Sequence, residues 1–418
     1  LEYGLTQRNN LPDIQVPFKD GKAIPVALKF TAPPSAWGIK LHAALYLNNN
    51  PTAAAWDVFA VGTNSYRLGQ QANHGGALSS WRVKEFAAED SYYADQWRRM
   101  KGTWLEIFGG LPSEFCGLTT EWDEWVTMQG RYRNARNTIR AYTTAARRLG
   151  LKVMIYNNAT PSGWVGTRWA RKHPEWLSYS YLGNMRADLN TLDVEKQKSW
   201  HKTLKPHATT AFHPIYLNFY DPKLTEFGCD QMLGACRDFG YDGVRFDGHW
   251  ILGDVWSGLG YGMDGRRPNR GESLDAVNTR NLRHMKEYTW ERKPDFQFGF
   301  NYGGHYATGG ARNPRAYRMA CANGGMILWE GSTFDEAYSD WRIGALKLRE
   351  NALRVHQNGG VHYGQAYMIH SKMFSSNEFS LRYFFITNFA ATSHIYAGVY
   401  PDHPHYLPIQ GLYFRFAL

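Results

Sequence analysis

The segment 240–250 reads Gly-Tyr-Asp-Gly-Val-Arg-Phe-Asp-Gly-His-Trp and has the composition of a catalytic strand end. Asp247 directly follows a short apolar run, and Glu330 directly follows another, at residues 326–329. Two carboxylates at neighbouring strand ends could act as nucleophile and acid/base, the pair that a retaining glycosidase holds about 5–5.5 Å apart. Arg245 would keep Asp247 ionised, and Trp329 would raise the pKa of Glu330 by excluding water.

Other polar and aromatic side chains lie at or near the ends of the same apolar runs, where they could bind a sugar. We predict that the following residues bind substrate: Arg245, His249, Trp250, Tyr156, Asn157, Asn301, Tyr302, Trp329, Tyr367 and His394. For the two histidines a structural role is an open alternative, and for Trp250 so is loop packing. Neither the 15 His nor the four Cys show metal-ligand spacing, so we predict no metal and no cofactor.

Several other acids compete with these two or have a structural explanation. Asp254, Asp264 and Asp335 are alternatives to Glu330 as the acid. Asp242 precedes Gly243 at a strand entrance, and Asp221 precedes a proline. We therefore interpret Asp242 as structural and Asp221 as the cap of a helix.

Short apolar strands alternate with amphipathic helices from residue 103 onward. The predicted strands are 104–108, 152–156, 215–219, 243–246, 296–300, 326–329, 361–368 and 394–397. The predicted helices are 132–149, 223–239, 273–291, 339–356 and one near 378–390. This alternation requires parallel strands joined by crossover helices. Eight strands without a phosphate-binding glycine loop favour an α/β protein of the (β/α)8 TIM-barrel type over a doubly wound sheet.

The chain divides into two predicted domains. Residues 1–95 lack helical periodicity and show short strand-like runs at 24–31, 39–47 and 56–62, which predicts a small β-sandwich-like accessory domain. Residues 96–418 form the predicted barrel. Within it, residues 158–214 are too long for one connection and rich in Trp and Tyr, which indicates an insertion that could contact substrate.

The composition favours a globular protein with a sugar partner. Of the 418 residues 43% are hydrophobic, and 16 Trp and 26 Tyr supply flat rings suited to the apolar faces of pyranoses. No apolar run of about 18 residues occurs, so we predict no membrane span, and we predict no nucleic-acid partner. The net charge of +10 leaves an anionic polymer open, with a basic cluster at Arg266, Arg267 and Arg270. We expect the protein to be secreted or attached to the cell surface.

The segment 239–248 resembles the nucleophile region of α-amylase-like barrels. The wider layout resembles glycoside hydrolases of the dextranase and cycloisomaltooligosaccharide glucanotransferase type, through the segments 153–163, 298–304, 327–330 and 378–398. In that family a β-sandwich precedes the barrel, the nucleophile Asp ends strand four and the acid/base Glu ends strand six. The resemblance thus implies that Asp247 is the nucleophile and Glu330 the acid/base.

The sequence therefore predicts a retaining glycoside hydrolase or transglycosylase that acts on an α-linked glucan or a related polysaccharide. The alternative is a non-catalytic carbohydrate-binding barrel, or a surface or assembly protein with the same fold. A barrel that binds acidic polymers is a third hypothesis.

Overall fold

The structure of the protein is a computed structural model. It describes residues 13–16, 24–27, 29, 38–60, 74–79, 83–88, 102–127, 133–157, 161, 163–177, 217, 219, 221–246, 272–301, 314–329, 341–365 and 394–397. The chain divides into two compact units, Leu1–Val61 and Gly62–Leu418.

The first unit contains an antiparallel hairpin of β1 (Gly38–Leu47) and β2 (Asn50–Ala60). The two turn residues, Asn48 and Asn49, have φ angles of 50° and 65°. Asparagine tolerates this left-handed backbone, and two such residues in a row match the twist of an antiparallel pair. Where a β-sandwich was expected, the described part of this unit holds a two-stranded sheet, and residues 24–27 lie outside any strand.

The second unit is a mixed α/β structure built on a parallel sheet. Six neighbouring strands run in the order β4 (Trp104–Phe108), β7 (Lys152–Asn157), β8 (Gly243–Phe246), β9 (Gln297–Asn301), β10 (Met326–Trp329) and β11 (Val361–Gln365). Strand β12 (His394–Ala397) pairs with β11 and with β3 (His74–Ser79), and β3 pairs with β4, so the strands close on themselves. Between β4 and β7, β5 (Glu124–Val126) and β6 (Arg133–Ala135) form a small antiparallel ladder.

From β3 to β11, helices lie between successive strands of this sheet. The described helices are α1 (Val83–Ala87), α2 (Arg136–Arg148), α3 (Gly163–Lys172), α4 (Pro222–Phe239), α5 (Leu274–Arg292), α6 (Pro314–Cys321) and α7 (Trp341–Gln357), with a 3-10 turn at Pro174–Trp176.

Helix α4 has clear stop and start signals. A side-chain oxygen of Asp221 accepts a hydrogen bond from the backbone N–H of Lys223 at 2.9 Å, and Pro222 occupies the first turn, where no N–H is needed. The helix ends at Gly240, whose φ of 83° suits a residue without a side chain. The predicted capping role of Asp221 is confirmed.

Two strand predictions differ from the structure. Strand β3 pairs with β4 and β12, so the sheet already begins at residue 74 and the expected boundary between residues 95 and 96 lies too late. Within the predicted strand 215–219, Leu217 forms one antiparallel bridge with Leu177. Leu217 does not belong to the parallel sheet. The sheet thus gains one strand, β3, and loses one, 215–219, before β8. As expected from the sequence, β8 is the fourth strand of the sheet in chain order and β10 the sixth.

All four cysteines of the chain lie in the second unit. All four cysteines are free thiols, and burial raises the pKa of Cys116 to about 12. A neutral, buried thiol packs as a small hydrophobic group and is a poor nucleophile. Among the described helices, none has the length and apolarity to cross a membrane.

Candidate functional site

The side chains of the parallel strands alternate between the two faces of the sheet. Leu105 and Ile107 of β4 and Val244 and Phe246 of β8 belong to the main core, which the strands share with the helices. A second cluster lies on the inner face of the sheet and consists of Trp104, Met154, Met326, Leu328, Val361 and Tyr363. Because residues two apart share a face, Glu106 and Arg245 lie on the same inner face as this cluster.

The inner cluster provides a dry, apolar floor for the site. Its rings are fixed, since Trp104 Nε1 donates a hydrogen bond to the Tyr363 hydroxyl at 3.4 Å and the two ring centroids lie 5.8 Å apart. Burial raises the pKa of Tyr363. We therefore treat Tyr363 as a neutral hydroxyl that holds Trp104 in place.

A buried ion pair lies on the same face. Arg245 Nε donates to Glu106 Oε2 at 2.9 Å, and Arg245 Nη2 donates to Glu106 Oε1 at 2.7 Å. The Glu106 side chain is 0% exposed and that of Arg245 is 4% exposed. Two parallel N–H···O bonds between charged groups fix the plane of the guanidinium as well as its position. The burial of both side chains strengthens the attraction between their charges.

Tyr156 holds the guanidinium from a second side. The Arg245 Cζ atom lies 4.8 Å from the centre of the Tyr156 ring, and that ring packs edge-on against Phe108 at 4.4 Å. A cation over an aromatic face is stabilised by about 1–2 kcal/mol when water is excluded. Position 299, the register partner of Arg245 on β9, is a glycine and so takes no space from the guanidinium.

The five described candidate residues fall into two groups. Arg245 and Tyr156 are in contact. Asn301, at the end of β9, lies two residues after Gly299 and therefore on the same inner face. Asn157, however, lies on the same face of β7 as Val153 and Ile155, the face that is turned toward the helices. Asn157 therefore lies on the face opposite to Arg245, because successive side chains of a strand point to opposite faces, and its predicted contact with substrate stays a prediction.

Trp329 also lies on the outer face, and its predicted contact with substrate likewise stays a prediction. It packs on Leu348 of α7, and its ring lies 6.3 Å from that of His362. Burial and, to a smaller extent, the neighbouring His356 lower the pKa of His362 to about 3, which marks this outer layer as dry. Trp329 therefore stabilises the contact between strand and helix at this point, on the face opposite to Arg245.

The remaining candidates lie outside the described residues: Asp247, His249, Trp250, Tyr302, Glu330 and Tyr367. Of His394 the structure gives the backbone, which pairs with Tyr363 at the start of β12. The roles proposed for all seven stay predictions. In the described part of the chain, no three His, Cys, Asp or Glu side chains are arranged to hold a metal ion.

Glu106 is the residue that the sequence interpretation missed. It stands in the middle of the apolar run Trp104–Phe108, and a charged residue in a central strand is rarely buried without a partner. That anomaly was the available signal. The partner, 139 residues away, could not be read from the sequence. The pair places a guanidinium of fixed orientation below the carboxyl ends of the strands, where its N–H groups can orient an anionic group.

Comparison with known proteins gives a fold and no family. No protein-family model matches the chain, and no curated protein matches its sequence. Among solved structures, the chain is similar to a cycloisomaltooligosaccharide glucanotransferase from Paenibacillus sp. complexed with cycloisomaltoheptaose. The TM-score is 0.52 and the identity 14%, over 81% of this chain and 43% of that one.

Two further structures are similar at lower scores. An α-amylase from Lactobacillus plantarum matches with a TM-score of 0.47 and 12% identity, over 85% of this chain and 81% of that one. An α-galactosidase from Lactobacillus brevis matches with a TM-score of 0.44 and 11% identity, over 88% and 46%. The chain thus shares the fold of the glucanotransferase, and it spans less than half of that protein's length.

Proposed function

We propose that this protein is a (β/α)8-barrel glycoside hydrolase or transglycosylase of the retaining type, acting on an α-linked glucan or a related polysaccharide. In this proposal Asp247 attacks the anomeric carbon, and Glu330 protonates the leaving oxygen and then activates the acceptor, which is water or a sugar hydroxyl. Secretion or display at the cell surface, and a dextranase-like specificity, belong to the same proposal.

The Glu106–Arg245 pair is the observation that carries the proposal. Arg245 is fixed on the inner face of β8, two residues before Asp247. In the sequence, Asp247 follows Arg245 by two residues and Glu330 follows Leu328 by two, the spacing at which side chains of one strand share a face. An arginine fixed at this point would hold the nucleophile as a carboxylate and orient it.

The strand order supports a pair of carboxylates at the right separation. Strands β8 and β10 have β9 between them, so their backbones are about 10 Å apart at a strand spacing of about 4.8 Å. Two side chains that both lean inward from such strands can bring their carboxyl groups to about 5–5.5 Å, the separation for retention. The glucanotransferase of similar fold, whose structure contains cycloisomaltoheptaose, supports an isomaltooligosaccharide-like substrate.

The experiment compares the wild type with Asp247→Asn and Glu330→Gln on a panel of α- and β-linked glucans. We expect turnover of an α-glucan, with kcat reduced at least about 10³-fold in both variants because each lacks one of two groups that act together. Proton NMR of the first product should show retained anomeric configuration. The control is Asp242→Asn, the same carboxylate-to-amide change at the opposite end of β8.

Three results would contradict the proposal. Full activity in Asp247→Asn would remove the nucleophile assignment, and an inverted product would remove the retaining mechanism. Glucan binding by calorimetry without turnover in the wild type would favour the non-catalytic carbohydrate-binding barrel instead.

A further inference from the structure

Glu106 lies in β4, two strands away from Arg245 in β8, and the intervening strand β7 supplies Tyr156. The guanidinium is therefore held by three neighbouring strands at once. Its Nε and Nη2 atoms both face the Glu106 carboxylate. Since the guanidinium is planar, this side-on pairing directs its Nη1 atom to the opposite side.

Stability alone is a weak reason for such a pair. Removing two charges from water costs free energy that their attraction only partly offsets, and apolar residues of similar volume are often at least as stable. Apolar packing is available on this inner face, because Met154, Met326 and Leu328 belong to its buried apolar cluster. A charged pair in these surroundings suggests a role that apolar side chains could not fill.

We propose that Glu106 is a positioning residue for the reaction, an inference that rests on the function proposed above. Its carboxylate fixes the plane of the Arg245 guanidinium and offsets part of its charge. Arg245 can then orient the carboxylate of Asp247 without binding it so strongly that the carboxylate loses nucleophilicity. Glu106 itself touches neither the substrate nor the reacting atoms and acts through Arg245.

The primary test is Glu106→Gln, which keeps the shape of the side chain and removes its charge. We expect kcat on the best α-glucan to fall about 10- to 100-fold, the usual effect of losing a group that orients a reacting residue. KM should stay within about threefold, because the substrate's own contacts are unchanged. In an Arg245→Lys background, the same substitution should change kcat by less than about twofold, since residues that act as a unit have non-additive effects.

A matched control separates positioning from general destabilisation. Asp242, which comes directly before β8, is also buried. One of its carboxylate oxygens accepts a hydrogen bond from the backbone N–H of Val153. Asp242→Asn should lower the urea midpoint and leave kcat unchanged. If Glu106→Gln does not fold, Glu106→Asp retains the charge and shifts it by one methylene. The same reduction of kcat at constant KM is then expected.

The possible failures can be told apart. If the wild type is inactive on every glycan, or if Asp247→Asn keeps its activity, the proposed function fails and the role of Glu106 fails with it. If Asp247→Asn is inactive while folded Glu106→Gln has wild-type kcat, the proposed function stands and the positioning role is wrong. The role is also wrong if Glu106→Gln and Asp242→Asn lose kcat equally.

Discussion

Asp242, directly before β8, and Arg245, within β8, both form ion pairs with neighbouring elements, and these pairs differ in their access to water. At the amino end, Asp242 lies 3.4 Å from Lys152 Nζ and 3.8 Å from Arg147 Nη2, and these two cations are 40% and 53% exposed. Inside the strand, Arg245 binds Glu106 with both side chains almost fully buried. The first pair is screened by solvent and the second is not.

On the function proposed above, the difference separates a contact that joins two strands from one that serves the reaction. Asp242 also accepts a hydrogen bond from the backbone N–H of Val153 at 2.9 Å, so it joins β7 to the start of β8, in agreement with its expected structural role. The Glu106–Arg245 pair lies instead toward the carboxyl ends of the strands, where barrel enzymes carry their catalytic groups. Burial makes it costly to break and gives it a fixed direction.

The largest expected effect comes from breaking the buried pair. Arg245→Met should lower the free energy of unfolding by about 3–5 kcal/mol, because it leaves the Glu106 carboxylate buried without its guanidinium. The double variant Glu106→Leu, Arg245→Met should regain most of this loss in urea unfolding at pH 7. A single variant as stable as the wild type would remove the distinction between the two pairs.

Lys286 of α5 is a buried charge outside the site, and it tests whether burial alone gives a charged side chain a large effect on the free energy of unfolding. Its Nζ donates to the carbonyls of Met319, Ala320 and Ala322 at 2.7, 3.1 and 3.0 Å, at the carboxyl end of α6. These carbonyls lack helical partners, and the negative end of the helix dipole favours a cation there. Burial nevertheless lowers the pKa of Lys286 from 10.5 to about 7.

The pKa of Lys286 predicts a dependence of stability on pH. Between about pH 7 and 10.5 the unfolded chain binds this proton and the folded protein does not, so the folded state gains stability as the pH rises. The gain over this window is up to about 4 kcal/mol. Lys286→Met should lack it, which urea unfolding of both proteins at pH 6.5 and 9.5 would measure. If the free energy of unfolding changes equally with pH in both proteins, the hydrogen bonds to the three carbonyls offset the cost of burying the charged Lys286.

The smallest effect is expected at the exposed pair. Asp242→Asn keeps an oxygen for the Val153 N–H and loses only the attraction to two half-exposed cations, so it should cost about 1 kcal/mol. Because salt screens exposed charges, the difference from the wild type should shrink in 1 M NaCl. A salt-independent loss as large as that of Arg245→Met would show that the two pairs are alike.

Much of the parallel sheet could be predicted because its strands are short runs made mostly of apolar residues. Runs such as Gly243–Phe246 and Met326–Trp329 are buried on both faces, which gives them a strong signal. Strand β3, with the sequence His-Gly-Gly-Ala-Leu-Ser, was missed because its glycines and polar ends are typical of a loop. It is a strand because β4 and β12 supply hydrogen-bond partners on both sides.

The candidate site could be predicted in part. The ends of strands β7 to β10 were identified, but the choice between neighbouring residues depends on a register that a one-residue shift reverses. Tyr156 and Asn157 show this directly, since the first packs on Arg245 and the second faces the helices.

By itself, the sequence determined the parallel α/β layout, the cap at Asp221, and Arg245 as a candidate residue of the site. These depend on local periodicity and on contacts between near neighbours. Only the tertiary structure paired Arg245 with Glu106 and placed Trp329 against α7. Such contacts join residues far apart in the chain, and the burial that makes a charge pair strong exists only once the strands have assembled around it.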